Sequence, residues 1–218
     1  MAEVFLKGAI ESLYMVITST LFAYLLGLPI GVLLCVTDKS GLRPCKAVNT
    51  AVGVIVNILR SVPFLILLVA LLPFTRAIVG TTIGSTATIV PLVIAAAPFV
   101  ARMVESSLKE VPSGVVEAAQ SVGASNFQIV CKVLLPEAKP SLIVGSAIAI
   151  TTILGYSAMA GFTGGGGLGT IAVNYGYYRY DDETMLITVA MLVVLVQIFQ
   201  EVGMLIAKKS DRRLKITK

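Results

Sequence analysis

Few side chains in this sequence are of a type that performs covalent chemistry. The 218 residues include no histidine. The three cysteines, Cys35, Cys45 and Cys131, are scattered and match neither a metal-ligand spacing nor a disulfide framework. Without histidine, and with few charges in the apolar segments, no nucleophile and base can be paired. The sequence therefore predicts neither a catalytic centre nor a metal site.

A polar stretch between very apolar segments, residues 117–136, carries the most specific pattern in the chain. Its start favours a helix, in which Ala118 and Ala119 beside Glu117 would let another surface approach closely. Gly123 then permits a turn, because glycine adopts left-handed backbone angles at little cost. The second, amphipathic run and the proline predicted to stop it contain Phe127, Ile129, Val130, Val133, Leu134, Leu135 and Pro136. The pattern predicts a helix–turn–helix at a membrane surface. Two interpretations stay open: the segment contacts a soluble partner, or it is an ordinary amphipathic helix on the membrane surface.

One charged side chain, that of Arg60, lies inside an otherwise apolar segment and is followed by Ser61 and Pro63. A charge in such a segment is costly, so it usually faces protein, water or the membrane interface. Two interpretations stay open. Arg60 extends its side chain to the cytoplasmic headgroups, or it supports a helix break at Pro63 beside a path through the membrane.

A second group of candidate residues lies between residues 155 and 169. The glycines at 164–167 allow tight backbone turns, but no lysine and serine or threonine follow them, so they are not a phosphate-binding loop. The segment is either a flexible loop or a gate. A gate is favoured because a methionine there would be a soft apolar plug. The candidate gate residues are Tyr156, Ser157, Met159 and Gly161.

Composition places these residues in a membrane. Hydrophobic residues make up 56% of the chain and charged residues only 13%, which is more apolar than a soluble domain of this size requires. Because lipid offers no partner for an exposed strand edge, apolar runs of about 20 residues indicate helices. The net charge of +5 is then attributed to loops that face anionic lipid, and nucleic-acid binding is not expected. The predicted class is an all-α integral membrane protein.

Five transmembrane helices are predicted. Their bounds are 12–36, 47–73, 83–100, 141–160 and 184–207. They form one membrane domain over residues 12–207, with a cytoplasmic loop at 108–140 and a basic tail at 208–218. The start of the chain lacks the basic region, apolar core and cleavage site of a signal peptide, so we expect none to be removed.

The distribution of lysine and arginine predicts the orientation of these helices. With five helices, connectors 37–46 and 101–140 lie on the same side as the tail. Together they hold Lys39, Arg43, Lys46, Arg102, Lys109, Lys132, Lys139, Lys208, Lys209, Arg212, Arg213, Lys215 and Lys218. The opposite side holds only Lys7, Arg76 and Arg179. Since basic loops stay in the cytoplasm, the C-terminus is predicted to be cytoplasmic and the N-terminus to lie outside.

Residues 117–136 resemble the EAA loop of the permease subunits of ABC importers. That pattern consists of Glu-Ala-Ala, three residues, Gly, nine residues and Ile-x-Leu-Pro. Here it occurs as residues 117–119, Gly123 and residues 133–136, with valine in place of isoleucine. The resemblance implies that Glu117, Ala118, Ala119, Gly123, Val133, Leu135 and Pro136 couple this chain to an ATPase.

Other segments resemble one group of these permeases more closely. Residues 60–64, 96–105 and 155–169 are similar to the permeases of bacterial methionine-uptake ABC importers, and the similarity covers most of the chain. It implies a type I importer permease fold in the bacterial cytoplasmic (inner) membrane. It also implies a path for methionine, in some systems also for its D-form or derivatives, that works by alternating access.

The same resemblance implies several partners. These are a second copy of the permease, two cytoplasmic ABC ATPase subunits and a periplasmic or lipid-anchored substrate-binding protein. The chain has no GxxxxGK[ST] phosphate loop. We therefore expect no cofactor on this chain, with ATP and Mg²⁺ held by the ATPase.

Two alternatives remain open. The first is a permease of the same type that carries another amino acid. The second is a secondary transporter or channel that works without ATP, which would need acidic residues inside the membrane for ion coupling. Apart from Glu201 near a helix end, the predicted helices contain no aspartate or glutamate, and this disfavours the second alternative.

Overall fold

The computed structural model describes residues 1–210. Residues 211–218, which form most of the predicted basic tail, lie outside the described residues. The described part is helical almost throughout and contains no strand. The all-α class is therefore confirmed.

Four helical stretches are long and apolar enough to cross a membrane. One of them continues from α9 through short helical segments to Tyr177. The long helices are α1 (Ala2–Thr37), α5 (Ser85–Lys109), α9 (Lys139–Met159) and α11 (Asp182–Ser210). A bent pair of helices makes a fifth crossing if it counts as one span, which agrees with the five predicted.

The second predicted span, 47–73, is not one straight helix. It divides into α2 (Lys46–Ser61) and α3 (Phe64–Ala70), which meet at an angle of 100°. The break comes at Pro63 because proline disfavours helical angles in the residue before it, and Val62 is extended, with φ −80° and ψ 124°. A further helix, α4 (Leu72–Val79), follows.

α5 includes most of the third predicted span, 83–100, and extends beyond it. α5 continues to Lys109, since charged side chains three and four residues apart pair along it. Arg102 lies 2.6 Å from Glu105, and Glu105 lies 2.8 Å from Lys109. Such pairs stabilise helical turns.

Close backbone contact joins α1 to α5 at the centre of the molecule. A Cβ added at Gly27 would lie 2.7 Å from the carbonyl oxygen of Ala97, and one at Gly31 would lie 2.5 Å from that of Ala101. Small residues let membrane helices approach in this way. Val100 lies fully buried in this interface. The interface fixes α5, from which the exposed segment described below begins.

The remaining elements are short. The α-helices are α6 (Ser113–Ser121), α7 (Asn126–Ile129), α8 (Leu135–Glu137) and α10 (Gly167–Ile171). Two π-helical segments (Val130–Leu134 and Ala172–Tyr177) and one 3₁₀ segment (Ala160–Thr163) connect them to the long helices.

Candidate functional site

The segment between α5 and α9 protrudes from the helical body as a helix–turn–helix. None of the residues of α6 is buried. Glu117 and Ala118 are exposed, and Ala119 is half-buried. At the tip, Val122 and Phe127 are 84% and 77% exposed. An apolar tip beside small side chains is a surface that another protein can contact closely.

Gly123 makes the turn that follows α6. Its φ is +79°, in the left-handed region. Its N–H donates to the carbonyl of Gln120 at 2.9 Å, and the N–H of Ala124 donates to that of Ala119 at 3.1 Å. These bonds satisfy carbonyls at the end of the helix. The predicted glycine turn therefore lies where the pattern placed it.

The second half of the segment is fixed to the body. Ser125 accepts a hydrogen bond from the Gln128 N–H at 3.3 Å, and the Gln128 side chain accepts one from the Ser125 N–H at 2.9 Å. This reciprocal cap starts α7. Ile129 is fully buried and Leu134 is 5% exposed. These two side chains therefore anchor the second half of the segment in the core.

Three predicted residues close the segment. Val133 and Leu135 are half-buried and pack against the core. Pro136 is exposed in the first turn of α8, and the chain continues through α8 into α9. The helix ends at Glu137, one residue after Pro136, and Ala138 makes a turn before α9. Pro136 has no N–H to donate to the preceding turn, and the segment before α8, Val130–Leu134, is π-helical.

A chain of charged side chains begins beside this segment. The Lys109 ammonium lies 2.6 Å from Asp38 Oδ2, in the connector after α1, and 2.8 Å from Glu105 Oε1. Glu105 is only 7% exposed. The hydrogen bond from Lys109 holds the pKa of the Asp38 carboxyl below its usual value. The ammonium thus ties the end of α1 to α5.

Arg102 extends this chain to α2. One nitrogen of its guanidinium lies 2.6 Å from Glu105 Oε2. Another donates to Asn57 Oδ1 at 2.9 Å and to the carbonyl of Gly53 at 3.2 Å. Both acceptors belong to the helix that ends at the break. A continuous polar connection therefore links the connector after α1, α5 and α2.

A groove of about 470 Å³ separates α6 from this charged chain. Asp38 and Lys109 line one side of it, and Glu117 and Gln120 line the other.

The break between α2 and α3 contains the other group of candidates. Arg60 and Ser61 are exposed at the end of α2, and Pro63 precedes α3. Phe64 stacks on Tyr156 of α9, with ring centroids 4.6 Å apart and planes 4° apart. The structure thus joins two groups of candidates that lie far apart in the sequence.

The other candidate gate residues lie elsewhere. Ser157 is 1% exposed and donates to the Leu154 carbonyl at 2.8 Å. Gly161 is buried, and a Cβ there would overlap the backbone of Gly169. Met159 is 45% exposed and lines a separate hollow of about 280 Å³. Two of these residues therefore contribute to packing, and none of the three joins Arg60.

The glycine-rich segment at 164–167 is not the flexible loop that one interpretation allowed. The N–H of Gly167 donates to Glu11 Oε2 at 2.8 Å, and that of Leu168 donates to Ser12 Oγ at 2.9 Å. Both acceptors belong to α1. The glycines permit this close approach, which fixes the segment to the helical body.

The sequence alone does not single out Asn57 and Arg102 as partners. The spacing of Arg102, Glu105 and Lys109 on one helix was a usable signal. The contact between Arg102 and Asn57 could not be predicted from the sequence. It joins residues 45 positions apart and depends on how two helices pack.

Comparison with known proteins agrees with this geometry. Residues 23–216 match the family of binding-protein-dependent transport system inner membrane components. A probable D-methionine transport system permease from Vibrio cholerae is 52% identical over 97% of this chain and 94% of its own length. The corresponding permease of Escherichia coli K12 is 52% identical over 71% of each chain.

Solved structures show the same fold. A chain from the inward-facing MetNI methionine ABC transporter matches with a TM-score of 0.95 and 47% identity, over 96% of this chain and 97% of that one. An amino acid ABC transporter solved with histidines matches with a TM-score of 0.78, but its 21% identity supports likeness of fold alone. The chain belongs to the family of binding-protein-dependent transport system inner membrane components.

Proposed function

We infer that this protein is the membrane-spanning permease subunit of an ATP-driven ABC importer whose substrate is methionine, including its D-form. It is a multi-pass protein of the inner membrane. Similarity to D-methionine permeases over nearly the whole chain carries this inference. The exposed helix–turn–helix agrees with it, because Glu117, Ala118 and Gly123 of the EAA pattern are exposed where a partner can reach them.

The import mechanism requires two copies of this chain and two ATPase subunits. ATP and Mg²⁺ bind to the ATPases, and ATP must favour one conformation of the assembly over the other for any shift to occur. In this chain, α6 and the Gly123 turn receive the movement. The buried side chains of Ile129 and Leu134 transmit it to the core and hence to α9.

We propose that the N-terminus lies outside and the C-terminus in the cytoplasm, with a binding protein delivering methionine to the outer face. Lys39, Arg43 and Lys46 in the connector after α1 support this orientation. A reporter that is active only in the cytoplasm tests it when fused after Lys218. We expect full reporter activity, and activity of a periplasmic reporter at that position would reverse the orientation.

Competition between amino acids for uptake tests which of them the importer carries. The permease, its ATPase and its binding protein are expressed in bacteria that lack their own methionine importers. We expect unlabelled L- and D-methionine to suppress uptake of labelled methionine, and leucine and histidine to leave it unchanged. Import of another amino acid in place of methionine would keep the class of transporter and reject the substrate.

A further inference from the structure

Arg60 lies in the last turn of α2, within the bent pair that forms one candidate span, and its side chain has no partner among residues 1–210. Along α2, which begins at Lys46, it lies about 21 Å from that residue at 1.5 Å per residue. This distance is longer than an extended arginine side chain, so Arg60 does not reach headgroups at the Lys46 end. An unpaired guanidinium in lipid is costly. Arg60 must therefore face protein or a water-filled space.

A groove of about 370 Å³ provides that space. Its volume falls within the range of about 300–1,000 Å³ typical of small-molecule sites. One part of its wall is apolar, with Phe99 and Met103 from α5 and Val144 and Ile148 from α9. Each pair is four residues apart and so shares one helix face. Polar groups line the rest, and they include the carboxylate of Glu110 after the end of α5. The groove thus combines one free cation, an apolar face and one carboxylate.

The other arginine of the groove is not free. Arg102 also lines it, but its guanidinium is occupied by Glu105 and Asn57. Ser106, one turn beyond Met103, adds a hydroxyl to the same wall. An anionic group that enters the groove therefore meets Arg60 as its available partner.

We propose that this groove is an amino-acid subsite on the translocation path. Arg60 binds the carboxylate of the substrate, because a guanidinium can form two parallel hydrogen bonds to it. Phe99, Met103 and Ile148 hold the thioether side chain, since sulfur packs well against aromatic and apolar groups. The Ser106 hydroxyl is an acceptor for the ammonium. The proposal rests on the proposed function and adds the residues that contact the substrate.

Protection of an introduced cysteine tests the subsite. The native cysteines Cys35, Cys45 and Cys131 are replaced by alanine, and Ile148→Cys is introduced as the probe. The complex of permease and ATPase, in lipid nanodiscs without the binding protein, is labelled with an anionic methanethiosulfonate. Labelling rates are compared with and without methionine. Val144→Cys is the second probe if the first variant does not assemble.

Three comparisons define the expected result. Methionine at about twice its Kd slows labelling about threefold, because occupied sites do not react. Methioninol, which lacks the carboxylate, gives no protection. Arg60→Gln abolishes protection by methionine, whereas Arg60→Lys retains part of it. Lys39→Cys, in the exposed connector after α1, serves as the control that methionine does not protect.

Three results would overturn the proposal. The first is a labelling rate that methionine leaves unchanged at every concentration tested. The second is equal protection by methioninol, and the third is protection that persists in Arg60→Gln. In either of the last two cases Arg60 would not bind the carboxylate. Methionine uptake by the unsubstituted transporter is measured in parallel. If uptake is intact, only the subsite is rejected, and if it is absent, the proposed function fails as well.

Discussion

Gly123 decides the shape of the exposed turn, and Gly114 provides a natural comparison. Both lie in the helix–turn–helix, and an added Cβ would meet no atom within 4 Å at either position. Only Gly123 has a positive φ, of 79°. If substitutions at the two sites change the stability of the segment differently, the cause is therefore the backbone angle and not the space available for a side chain.

We expect Gly123→Ala to destabilise the segment by about 1–2 kcal/mol, the cost of a left-handed L-residue. Gly114→Ala should change its stability by no more than about 0.5 kcal/mol, because Gly114 is exposed in the first turn of α6 and has no positive φ. Hydrogen exchange of the α6 amides measures both effects. Methionine imported per ATP hydrolysed should fall for Gly123→Ala alone. Equal exchange rates in the two variants would contradict the role of the turn.

Asp38 gives a second prediction for a single residue. Its pKa is lowered in the folded protein, chiefly by the hydrogen bond from Lys109. The stability gained is present above the unfolded pKa of about 3.9 and is lost as the pH falls through the lower folded pKa. In thermal unfolding between pH 6 and about pH 3, Asp38→Asn should therefore lose less stability than the unsubstituted protein. An identical pH profile for the two proteins would contradict the ion pair.

At the scale of the helices, Arg102 determines how α2 is held against α5. Because the chain bends by 100° after α2, α2 does not continue into a longer straight helix that would hold it in place. The guanidinium instead fixes it through Asn57 and the Gly53 carbonyl. Because Glu105 also binds Lys109, movement at the end of α1 can reach α2 through one set of side chains.

A double-mutant cycle of Arg102→Gln and Asn57→Ala measures this connection. Since the two side chains are in direct contact, we expect an interaction free energy of about 0.5–3 kcal/mol in unfolding of the purified permease. Arg76→Gln, at an exposed arginine in α4, is the control and should change stability by no more than about 0.5 kcal/mol. Additive effects of Arg102→Gln and Asn57→Ala would show that the contact does not hold α2.

The elements show where prediction from sequence ends. Apolar runs predict the long helices, and the spacing from Glu117 to Gly123 predicts the exposed turn, because both depend on local chemistry. The 100° bend after α2 was anticipated only as a break at Pro63, since its angle depends on packing. The contact of Phe64 with Tyr156 and the docking of the glycine segment on Glu11 join distant residues, so no local pattern could place them.

Over the molecule as a whole, the exposed apolar surface indicates that the fold requires lipid or another subunit around it. None of the apolar window of α11 is buried within the chain, and Leu186 is 70% exposed. Such a surface is stable only when lipid or another subunit covers it. Val122 and Phe127 expose a second apolar region at the tip of the helix–turn–helix, which contacts the ATPase in the proposed assembly.

Transport by purified components shows whether import by this protein is driven by ATP hydrolysis. The permease, its ATPase and its binding protein are reconstituted in proteoliposomes, with ATP on the ATPase side and labelled methionine on the other. We expect accumulation of methionine that stops when ATP is replaced by a non-hydrolysable analogue, and that falls when Gly123→Leu disrupts the turn. Accumulation that persists without ATP hydrolysis, or without the ATPase subunit, would contradict ATP-driven import and favour a secondary transporter.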